Sequence, residues 1–575
     1  MKLNKQIAYA LAYILKNKYN AVIANISEMD DNFIVDFDPK NKLSINDFSQ
    51  IEKDINNFIK ENNNIVIKKI SKDNLIKSSN VKTNKYYLHW IKNNSNKSIS
   101  IVEINKDFCF IYPFTEQIKI DDFKKIQSFK LRNISGVYWL ANAKNKQLQR
   151  ISGYAFSSKQ EAELFEHVLQ DKLERDHRKL GAELELFTFD DLAGQGHPIW
   201  LPNGTAIANV IDQAVSEILI KRGFMFVSTP ILGSVDLYKT SGHWFHYKEN
   251  MYNPLKIDND QMVLRPMTCP HHMLVYKSKP RSYRDLPFSL AEKAILHRYE
   301  ASGALIGLER VRCMQLIDTH NIVRSDQIAS EIRRLYDIIM EVLNVFKIKI
   351  HRIDLSLHDP KNKQKYFDNP KLWVKAEKEL EQCMKDMHMK YVKKIGEAAF
   401  YGPKIDLQMQ TALGHIITMS TIQLDFLLPE RFQLEFIDDN GKKQRPILIH
   451  GGIIGTLERF MAILLESTKG VFPLWLAPIQ VEIIPISNQH LAYCQKIKQQ
   501  MLDNKIRVHV DNSDERLAKK IRNAQIKKIP YQIIIGDNEI KSNIISYRQY
   551  SKKDDNKITI NKFIKLITKL DLSKK

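Results

Sequence analysis

The sequence predicts a multidomain protein that combines α+β and α/β architecture, and three observations support this fold class. First, the chain has 575 residues, enough for about three or four domains with large cores. Second, residues 22–37 and 108–114 alternate with period two, as strands do, whereas residues 206–222 and 326–345 have helical patterns. Third, strand and helix patterns alternate after residue 473, which predicts βαβ units in a mixed sheet.

Changes in composition along the chain give the predicted domain boundaries. Residues 1–157 are rich in Asn, Lys and Ile, but their strand patterns need a core, so we predict a folded α+β domain. Residues 158–185 are helical and heavily charged, which is typical of a solvated connector. Residues 186–473 mix long helices with short strands, and residues 474–575 form the predicted α/β domain.

The first 15 residues predict an amphipathic helix. Their basic start and apolar stretch are similar to a signal peptide, but Ile7, Leu11, Ile14 and Leu15 follow helical spacing and no cleavage site follows. No apolar run approaches the roughly 18 residues of a membrane span, so we expect no membrane association.

The positive charge of the chain is concentrated at its two ends. Residues 1–150 contain 25 Lys and Arg against 15 Asp and Glu, and residues 474–575 contain 20 against 10, while the centre is nearly neutral. This distribution favours a polyanionic partner, with plain solubility as the simpler alternative. The five cysteines are scattered and form no C-x-x-C pair, so we expect a reducing, cytoplasmic location.

Three local patterns follow one another in the centre of the chain, and their order is informative. A helix is followed by a strand that ends at Pro230. Arg298-Tyr299-Glu300 and Arg310-Val311-Arg312 flank a glycine-containing loop, and in a hairpin Arg298 and Glu300 would share one face. Residues 455–459 (GTLER) then open a helix, where a nucleotide can approach the backbone closely. Each pattern alone could be an ordinary structural feature.

Together and in this order, these patterns resemble the three motifs of the class II aminoacyl-tRNA synthetases. The resemblance implies a catalytic core built on an antiparallel sheet and an amino-acid pocket. Cys269, His320 and His450 are far apart in sequence and suit one Zn²⁺ per chain with a fourth position open for substrate. Each could instead be a buried core residue. We expect His271, His272 and His297 to be structural or to support the ligands.

Within this class, the sequence resembles the threonyl-tRNA synthetase family over nearly the whole chain. The matching segments are residues 240–244 (TSGHW), 277–287 (KSKPRSYRDLP), 396–404 (GEAAFYGPK), 422–426 (IQLDF) and 476–478 (LAP). The resemblance begins after the family's small N-terminal ubiquitin-like module, which we expect to be missing. It implies an N-terminal editing-like domain and a C-terminal anticodon-binding domain.

Carried over position by position, the resemblance implies roles for individual residues. ATP, with Mg²⁺, is expected to be contacted by Arg298, Glu300, Arg310 and Arg459, and threonine by Asp318, Tyr401 and Gln423. Lys404 is expected near the phosphate and His243 near the tRNA acceptor end. In the C-terminal domain, which resembles the family's anticodon-binding domain, we expect polar residues near Glu539 and Arg548 to read the anticodon. Of these, Arg298, Lys404, Arg459 and His243 are the implied catalytic residues. The resemblance also implies a homodimer formed through the motif that ends at Pro230.

The expected function is therefore ATP-dependent ligation of threonine to tRNA(Thr). An open Zn²⁺ can bind both the amino and the hydroxyl group of threonine, and valine lacks the second ligand. A synthetase for proline or serine is one alternative, but it has no use for the three candidate ligands together. A decayed paralogue that only binds RNA is the non-enzymatic alternative.

The sequence departs from the family pattern in two regions. Leu316 and Ile317 stand where the family usually has Gln and Asp, and Gly451 stands in place of Arg, so a polar substrate contact is expected to be lost. In the editing-like domain, Tyr9 and Tyr13 occupy the places of two helix histidines, and residues 109–114 contain no His. We therefore expect that seryl-tRNA is not hydrolysed.

Overall fold

The computed structural model describes residues 3–29, 32–61, 65–105, 108–111, 126–142, 144–552 and 556–574. The chain forms two compact units, Met1–Asp171 and Lys172–Lys575, and the division falls within the predicted connector, in the helix Lys159–Arg175. Across the described residues, no helix combines the length and the apolar character that a membrane crossing requires.

The first unit is an α+β domain with two antiparallel sheets, as the strand patterns predict. In order across the first sheet, the described strands are Val22–Met29, Asn32–Asp38, Gln147–Phe156 and Ser128–Tyr138, and across the second they are Ile65–Ser71, Ser98–Ile104 and Phe108–Ile111. Besides the first helix, Asn4–Lys18, this unit has the shorter helices Phe48–Lys60, Lys72–Lys77, Ser79–Lys82 and Lys85–Asn93. Residues 112–114, predicted to continue the last strand, lie outside the described residues.

The first helix, Asn4–Lys18, forms where it is predicted, but the prediction of an amphipathic helix is wrong. Its residues 6–12 are all buried, including the polar Gln6. It packs against both strands of the hairpin that follows and against the helix Phe48–Lys60. Neighbours on several sides bury most of the helix and leave its C-terminal residues Asn17 and Lys18 exposed, which the sequence spacing alone does not indicate.

The second unit is built on a central sheet of eight described strands. Their order across the sheet is Met225–Phe226, Phe288–His297, Cys313–Val323, Ile447–Thr456, Ile416–Asp425, Lys404–Gln410, Arg352–Leu357 and Val392–Ile395. The pairings are antiparallel except at the two edges, where the outermost strands pair in parallel. Small additional sheets lie beside it. Two of them have two strands, Phe187–Thr188 with Ile199–Trp200 and Phe436–Ile437 with Lys443–Gln444. A third has Asp260–Leu264 between Leu232–Ser234 and Leu255–Ile257.

Helices cover this sheet and complete its core. The long helix Ile328–Val345 has the predicted periodicity, and its apolar residues Ile332, Leu335 and Ile339 are fully buried in the main core. The other helices of this region are His177–Glu183, Pro202–Lys221, Val235–Ser241, His243–His246, Cys269–Lys277, Pro370–Asp386, Leu427–Arg431 and Leu457–Thr468. The strand predicted before Pro230 is short, Met225–Phe226, and lies at the sheet edge as predicted.

The C-terminal part is the predicted α/β domain with a mixed sheet. The described strands lie in the order Val508–Val510, Val481–Pro485, Tyr531–Ile535, Ile544–Gln549 and Asn556–Thr559, with the first three parallel. Its helices are Leu491–Asp503, Leu517–Ile526, Asp537–Ser542 and Ile560–Leu572. Alternating strands and helices force the crossover connections that parallel pairing needs.

Candidate active site

The candidate site is a cavity of about 430 Å³ on one face of the central sheet. Strand alternation decides which side chains reach it. On the strand Cys313–Val323, Leu316, Asp318 and His320 line the cavity, whereas Ile317 belongs to the hydrophobic core on the other face. The sheet therefore presents every second residue of its central strands to one space.

The two arms around the central loop form the predicted hairpin. The amide of Arg298 donates to the carbonyl of Arg312 at 2.9 Å, continuing the antiparallel pairing of the strands that precede and follow. Arg298 and Glu300 both line the cavity, while Tyr299 between them is exposed. The hairpin thus places a guanidinium and a carboxylate side by side, as the period-two argument predicts.

Three arginines converge on the cavity. Arg310 pairs with Glu300 at 2.9 Å, and Arg459 donates to the carbonyls of Glu309 at 3.1 Å and Thr418 at 2.9 Å. Burial, followed by the charges of Arg298 and Arg310, lowers the pKa of Arg459. Such a concentration of positive charge favours a polyanionic ligand such as a triphosphate.

The three candidate metal ligands meet at the floor of the same cavity. One ligand atom each from Cys269, His320 and His450 lies within 4.8 Å of the others, and all three residues are buried. Burial lowers the pKa of His320 well below its ordinary value and raises the pKa of the Cys269 thiol well above its ordinary value. The cluster brings together residues from a helix and two neighbouring strands, as the sequence prediction requires.

The hydrogen bonds around the two histidines assign their tautomers. His450 Nε2 lies 2.9 Å from Asp425 Oδ2, so this nitrogen carries the proton and Nδ1 presents a lone pair. His320 Nδ1 lies 2.8 Å from His272 Nδ1, and His272 Nε2 lies 2.9 Å from the carboxylate of Glu292. Donation along this chain leaves His320 Nε2 with a lone pair as well.

The resulting donor set fits a metal ion. His320 Nε2 and His450 Nδ1 are 2.9 Å apart, so their two lone pairs repel each other unless a cation lies between them. One cysteine thiolate and two imidazoles are ligands typical of Zn²⁺, and carboxylates that fix the imidazoles are the usual supporting partners. Although burial raises the pKa of Glu292, hydrogen bonds from His272 and Thr229 and the charge of Arg265 lower it to about 2, so this partner stays ionised.

The three residues implied to contact threonine also line the cavity. Asp318 accepts a short hydrogen bond from the Thr268 hydroxyl, and burial raises its pKa. The Tyr401 hydroxyl donates to Gln423 Oε1 at 2.6 Å. Its ring stacks on His450 with a centroid distance of 4.8 Å. These contacts fix side chains directly beside the metal cluster.

Lys404 and His243 occupy different surroundings. Lys404 lines the cavity and forms an ion pair of 3.0 Å with Asp406. His243 is fully buried, with Nε2 3.6 Å from the Cys269 sulfur and Nδ1 2.8 Å from the Ser241 hydroxyl. Burial lowers the pKa of His243 to about 3, so its imidazole is neutral at physiological pH.

The departures from the family pattern have different structural consequences. Leu316 lines the cavity, so an apolar side chain replaces a polar one on its wall. Ile317 points away into the core, so the expectation of a lost substrate contact at this position is wrong. Gly451 faces the side of the sheet opposite the cavity, where an added Cβ would lie 2.5 Å from the Thr319 hydroxyl and 3.0 Å from Leu335.

In the N-terminal unit, the two tyrosines serve the core. Tyr9 is fully buried and its hydroxyl donates to the carbonyl of Ile111 at 3.0 Å. The ring of Tyr13 packs against Phe58 with a centroid distance of 5.0 Å. The side chain of Cys109 and residues 112–114 lie outside the described residues.

The two implied anticodon residues lie in the C-terminal domain. Glu539 Oε2 accepts from the amide of Gly536 at 3.0 Å, and its Oε1 accepts from the Ser546 hydroxyl at 3.0 Å. Arg548 lies on the strand Ile544–Gln549, opposite Gln532. Glu539 therefore holds the local backbone, while the position of Arg548 places it on the sheet.

Two residues that support the cluster, Asp425 and Glu292, have no role in the sequence prediction, and neither does Thr268, which donates to Asp318. Asp425 could have been found, because it lies two residues after Gln423 on one strand and so shares its face. Of the three histidines expected to be structural or to support the ligands, His272 bonds directly to the ligand His320. Glu292 gives no local signal, because its partner His272 comes from a different element.

The sheet, the arginine hairpin and the glycine-led helix together define a class II aminoacyl-tRNA synthetase core. Residues 248–468 match the family described as tRNA synthetase class II core domain (G, H, P, S and T), and residues 480–570 match the anticodon binding domain. The chain is 47% identical over 574 residues to a threonine–tRNA ligase of Ureaplasma parvum serovar 3, with 98% of each chain covered. It is 44% identical to that of a Geobacillus species, covering 98% of this chain and 87% of the relative.

A solved structure agrees with these relatives. The RNA binding domain of threonyl-tRNA synthetase from Cryptosporidium parvum Iowa II is similar at a TM-score of 0.65 and 35% identity, over 69% of this chain and 98% of that chain. The chain belongs to the threonine–tRNA ligase family. The predicted fold class and the predicted enzyme class, an ATP-dependent aminoacyl-tRNA ligase, are both confirmed.

Proposed function

We propose that this chain joins threonine to tRNA(Thr) in two steps. In the first, a carboxylate oxygen of threonine attacks the α-phosphorus of ATP and pyrophosphate leaves, which gives threonyl-adenylate. In the second, a hydroxyl of the terminal ribose attacks the carbonyl carbon of the adenylate, the bond from that carbon to the phosphate oxygen breaks, AMP leaves, and the hydroxyl proton passes to the departing phosphate or to water. The observation that supports this function best is the cluster of Cys269, His320 and His450 on the floor of a cavity whose wall carries three arginines.

ATP occupies the arginine side of the cavity in this proposal. Arg298 and Arg459 stabilise the charge on the phosphates as the bond to pyrophosphate breaks, and Mg²⁺ shares that charge. Glu300 accepts a hydrogen bond from the adenine amino group, and Arg310, held by Glu300, contacts the outer phosphates. Lys404 lies near the reacting phosphate and neutralises charge there.

Threonine lies on the floor of the cavity. Cys269, His320 and His450 would hold Zn²⁺, which would supply a Lewis acid for the amino and hydroxyl groups of threonine. Asp318 and the pair of Tyr401 with Gln423 orient the amino acid beside it. Because an apolar pocket separates a hydroxyl from a methyl by only about a hundredfold, this polar floor explains the rejection of valine.

The acceptor end and the anticodon of tRNA engage separate regions. We place His243 beside the acceptor end, where its neutral imidazole acts as a hydrogen-bonding group, since a pKa of about 3 makes it a poor base. Glu539 and Arg548 lie in the region that reads the anticodon, and the basic C-terminal domain adds salt-sensitive attraction. These assignments follow the family resemblance and the positions of the residues.

Further parts of the proposal concern organisation. We assign residues 1–157 to the editing-like domain, 158–185 to the connector, 186–473 to the catalytic domain and 474–575 to the anticodon-binding domain. The active form is a cytoplasmic homodimer joined through the segment that ends at Pro230. We assign no hydrolytic activity to the editing-like domain, because Tyr9 and Tyr13 stand where the family pattern has two helix histidines and the buried Tyr9 hydroxyl is already hydrogen-bonded.

ATP–pyrophosphate exchange tests the reaction and its specificity. The protein should support exchange with threonine and much less with proline or valine, and Cys269→Ala should abolish it. Cys383→Ala is the matched control, because that cysteine is also buried but lies in the helix Pro370–Asp386, away from the cluster. Absence of threonine-dependent exchange in the wild type would favour the RNA-binding alternative.

A further inference from the structure

A buried histidine outside the cavity bonds to the backbone of the ATP hairpin. His177 begins the helix His177–Glu183, and none of its surface is exposed. Its Nδ1 lies 2.8 Å from Glu466 Oε1, and its Nε2 accepts a hydrogen bond of 3.1 Å from the amide of Leu308. Leu308 lies in the loop between the two arms of the hairpin. The histidine therefore links this loop to the helix Leu457–Thr468, which also carries Arg459.

Glu466 sets the tautomer of His177. The amide of Leu308 can only donate, so Nε2 must present its lone pair and the ring proton must lie on Nδ1. Nδ1 then donates to Glu466 Oε1, while Glu466 Oε2 accepts from the amide of Ala412 at 2.9 Å. Both carboxylate oxygens thus act as acceptors, and the imidazole has one orientation and one tautomer available.

The loop is shaped to accept this imidazole. Gly307 has a φ of +44°, and a Cβ at this position would lie 2.3 Å from His177 Nε2. Only glycine lets the backbone approach the ring so closely. The contact therefore depends on both partners, the ring on the helix and the glycine in the loop.

The residues that follow Leu308 line the ATP side of the cavity. The carbonyl of Glu309 accepts from Arg459 Nε at 3.1 Å, and Arg310 pairs with Glu300 at 2.9 Å. If the Leu308 amide loses its partner, the peptide before these two residues is free to shift. Both contacts then lose their fixed geometry, and the two arginines lose their alignment toward the phosphates.

We propose that His177, in the tautomer fixed by Glu466, is a positioning residue for ATP: it holds the Leu308 peptide so that Arg310 and Arg459 are aligned on the triphosphate. His177 does not touch the substrates itself. The inference rests on the proposed threonine activation and names a determinant of its ATP affinity. It predicts an effect on ATP that leaves the binding of threonine unchanged.

A pair of substitutions separates the two hydrogen bonds of the ring. In H177N, the short amide can still donate to Glu466 but cannot reach Leu308, whereas in H177Q the longer side chain can place its oxygen near the Leu308 amide. With the full-length zinc-loaded protein, H177N should raise the KM for ATP on the order of tenfold, the effect of one lost buried hydrogen bond. The KM for threonine should stay within about twofold. H177Q should restore most of the ATP affinity.

A substitution at Glu466 tests the tautomer. In E466Q, the amide oxygen keeps its bond to Ala412, so the NH₂ group faces His177 and moves the ring proton to Nε2. Two donors then face each other at Leu308, and we expect the same rise in the KM for ATP as in H177N. His490→Gln is the control, because His490 is also a buried histidine and lies 3.1 Å from the carboxylate of Asp537 in the C-terminal domain. It should leave the KM for ATP unchanged.

Hydrogen exchange gives a readout that does not depend on activity. The Leu308 amide should exchange slowly in the wild type and H177Q and faster in H177N and E466Q, while the amides of the helix Leu457–Thr468 stay protected. If H177N does not fold, E466Q and G307A decide the question, because they remove the contact and keep the imidazole.

The outcomes distinguish this inference from the proposed function. A wild type without threonine-dependent exchange would overturn the proposed function itself. A wild type that is active, together with H177N and E466Q that share its KM for ATP and its Leu308 protection, would overturn the positioning role alone. Equal effects of H177N and H177Q that follow only their loss of thermal stability would show that His177 serves the fold.

Discussion

Asp425→Asn offers a sharp test of the tautomer argument at the metal cluster. Asp425 Oδ2 accepts from His450 Nε2, and its Oδ1 accepts from the amides of Leu427 and Leu428 at 2.7 and 3.0 Å. In the asparagine variant the carbonyl oxygen must keep the two amides, so the NH₂ group faces His450 Nε2. That nitrogen becomes an acceptor, the ring proton moves to Nδ1, and the lone pair directed at the cluster is lost.

The expected loss follows from the role of such supporting carboxylates. Their removal typically weakens metal binding by about 10- to 100-fold, or about 1.4 to 2.7 kcal/mol. We expect this loss in a competition titration with a Zn²⁺ chelator, together with a matching loss of threonine-dependent exchange at limiting Zn²⁺. The change is close to isosteric, so the thermal midpoint of the metal-free protein should change little.

Asp354→Asn is the matched control for this experiment. Asp354 is also buried on the central sheet, but its carboxylate pairs with Arg352 and lies outside the cavity. The Asp354→Asn variant should bind zinc with the affinity of the wild type. If Asp425→Asn also binds zinc with wild-type affinity, the tautomer assignment of His450 is wrong.

Three further predictions concern other regions. Burial raises the pKa of Glu458 from 4.5 to about 8, so the folded state binds this proton more tightly than the unfolded state, and the wild-type free energy of unfolding should fall as pH rises between these values. In urea unfolding at pH 5 and pH 8, Glu458→Gln should lack this fall. An equal fall in the wild type and the variant would contradict the prediction. Arg548→Ala should raise the KM for tRNA about 5- to 100-fold without affecting ATP–pyrophosphate exchange, whereas exposed Arg522→Ala should change neither strongly. Preformed seryl-tRNA(Thr) should not be deacylated above the enzyme-free rate, because a phenol with a pKa near 10 cannot act as the base that imidazole provides; release abolished by changes in residues 1–150 would contradict this.

The sequence indicates which side chains lie together at the cavity, because these residues come in short segments of regular structure. Period-two alternation places Leu316, Asp318 and His320 on one face, and the same rule, applied to Ile317, already puts that residue on the opposite face. The family pattern alone does not distinguish Leu316 from Ile317, whereas the structure puts Leu316 on the cavity wall and Ile317 in the core. Local periodicity was therefore the better guide to what each departure does.

Contacts between distant segments could not be predicted in the same way. His177 meets Leu308 across 131 residues and Glu466 across 289, and the local sequence around each gives no sign of the other. The prediction of an amphipathic first helix is wrong for a related reason, because the burial of this helix depends on a hairpin and a second helix that pack around it. The apolar pattern of a helix or strand indicates which face packs against the core, whereas tertiary packing decides how many of its faces are buried.

The most direct test of the central claim is threonine-dependent ATP–pyrophosphate exchange in protein stripped of metal and then titrated with Zn²⁺. We predict that the stripped protein is inactive with threonine and that exchange returns in proportion to bound zinc, with saturation at one Zn²⁺ per chain. Cys269→Ala should not recover activity at any zinc concentration. Full exchange in the stripped protein, with no metal detected, would contradict the assignment of Cys269, His320 and His450 as the ligands on which threonine activation depends.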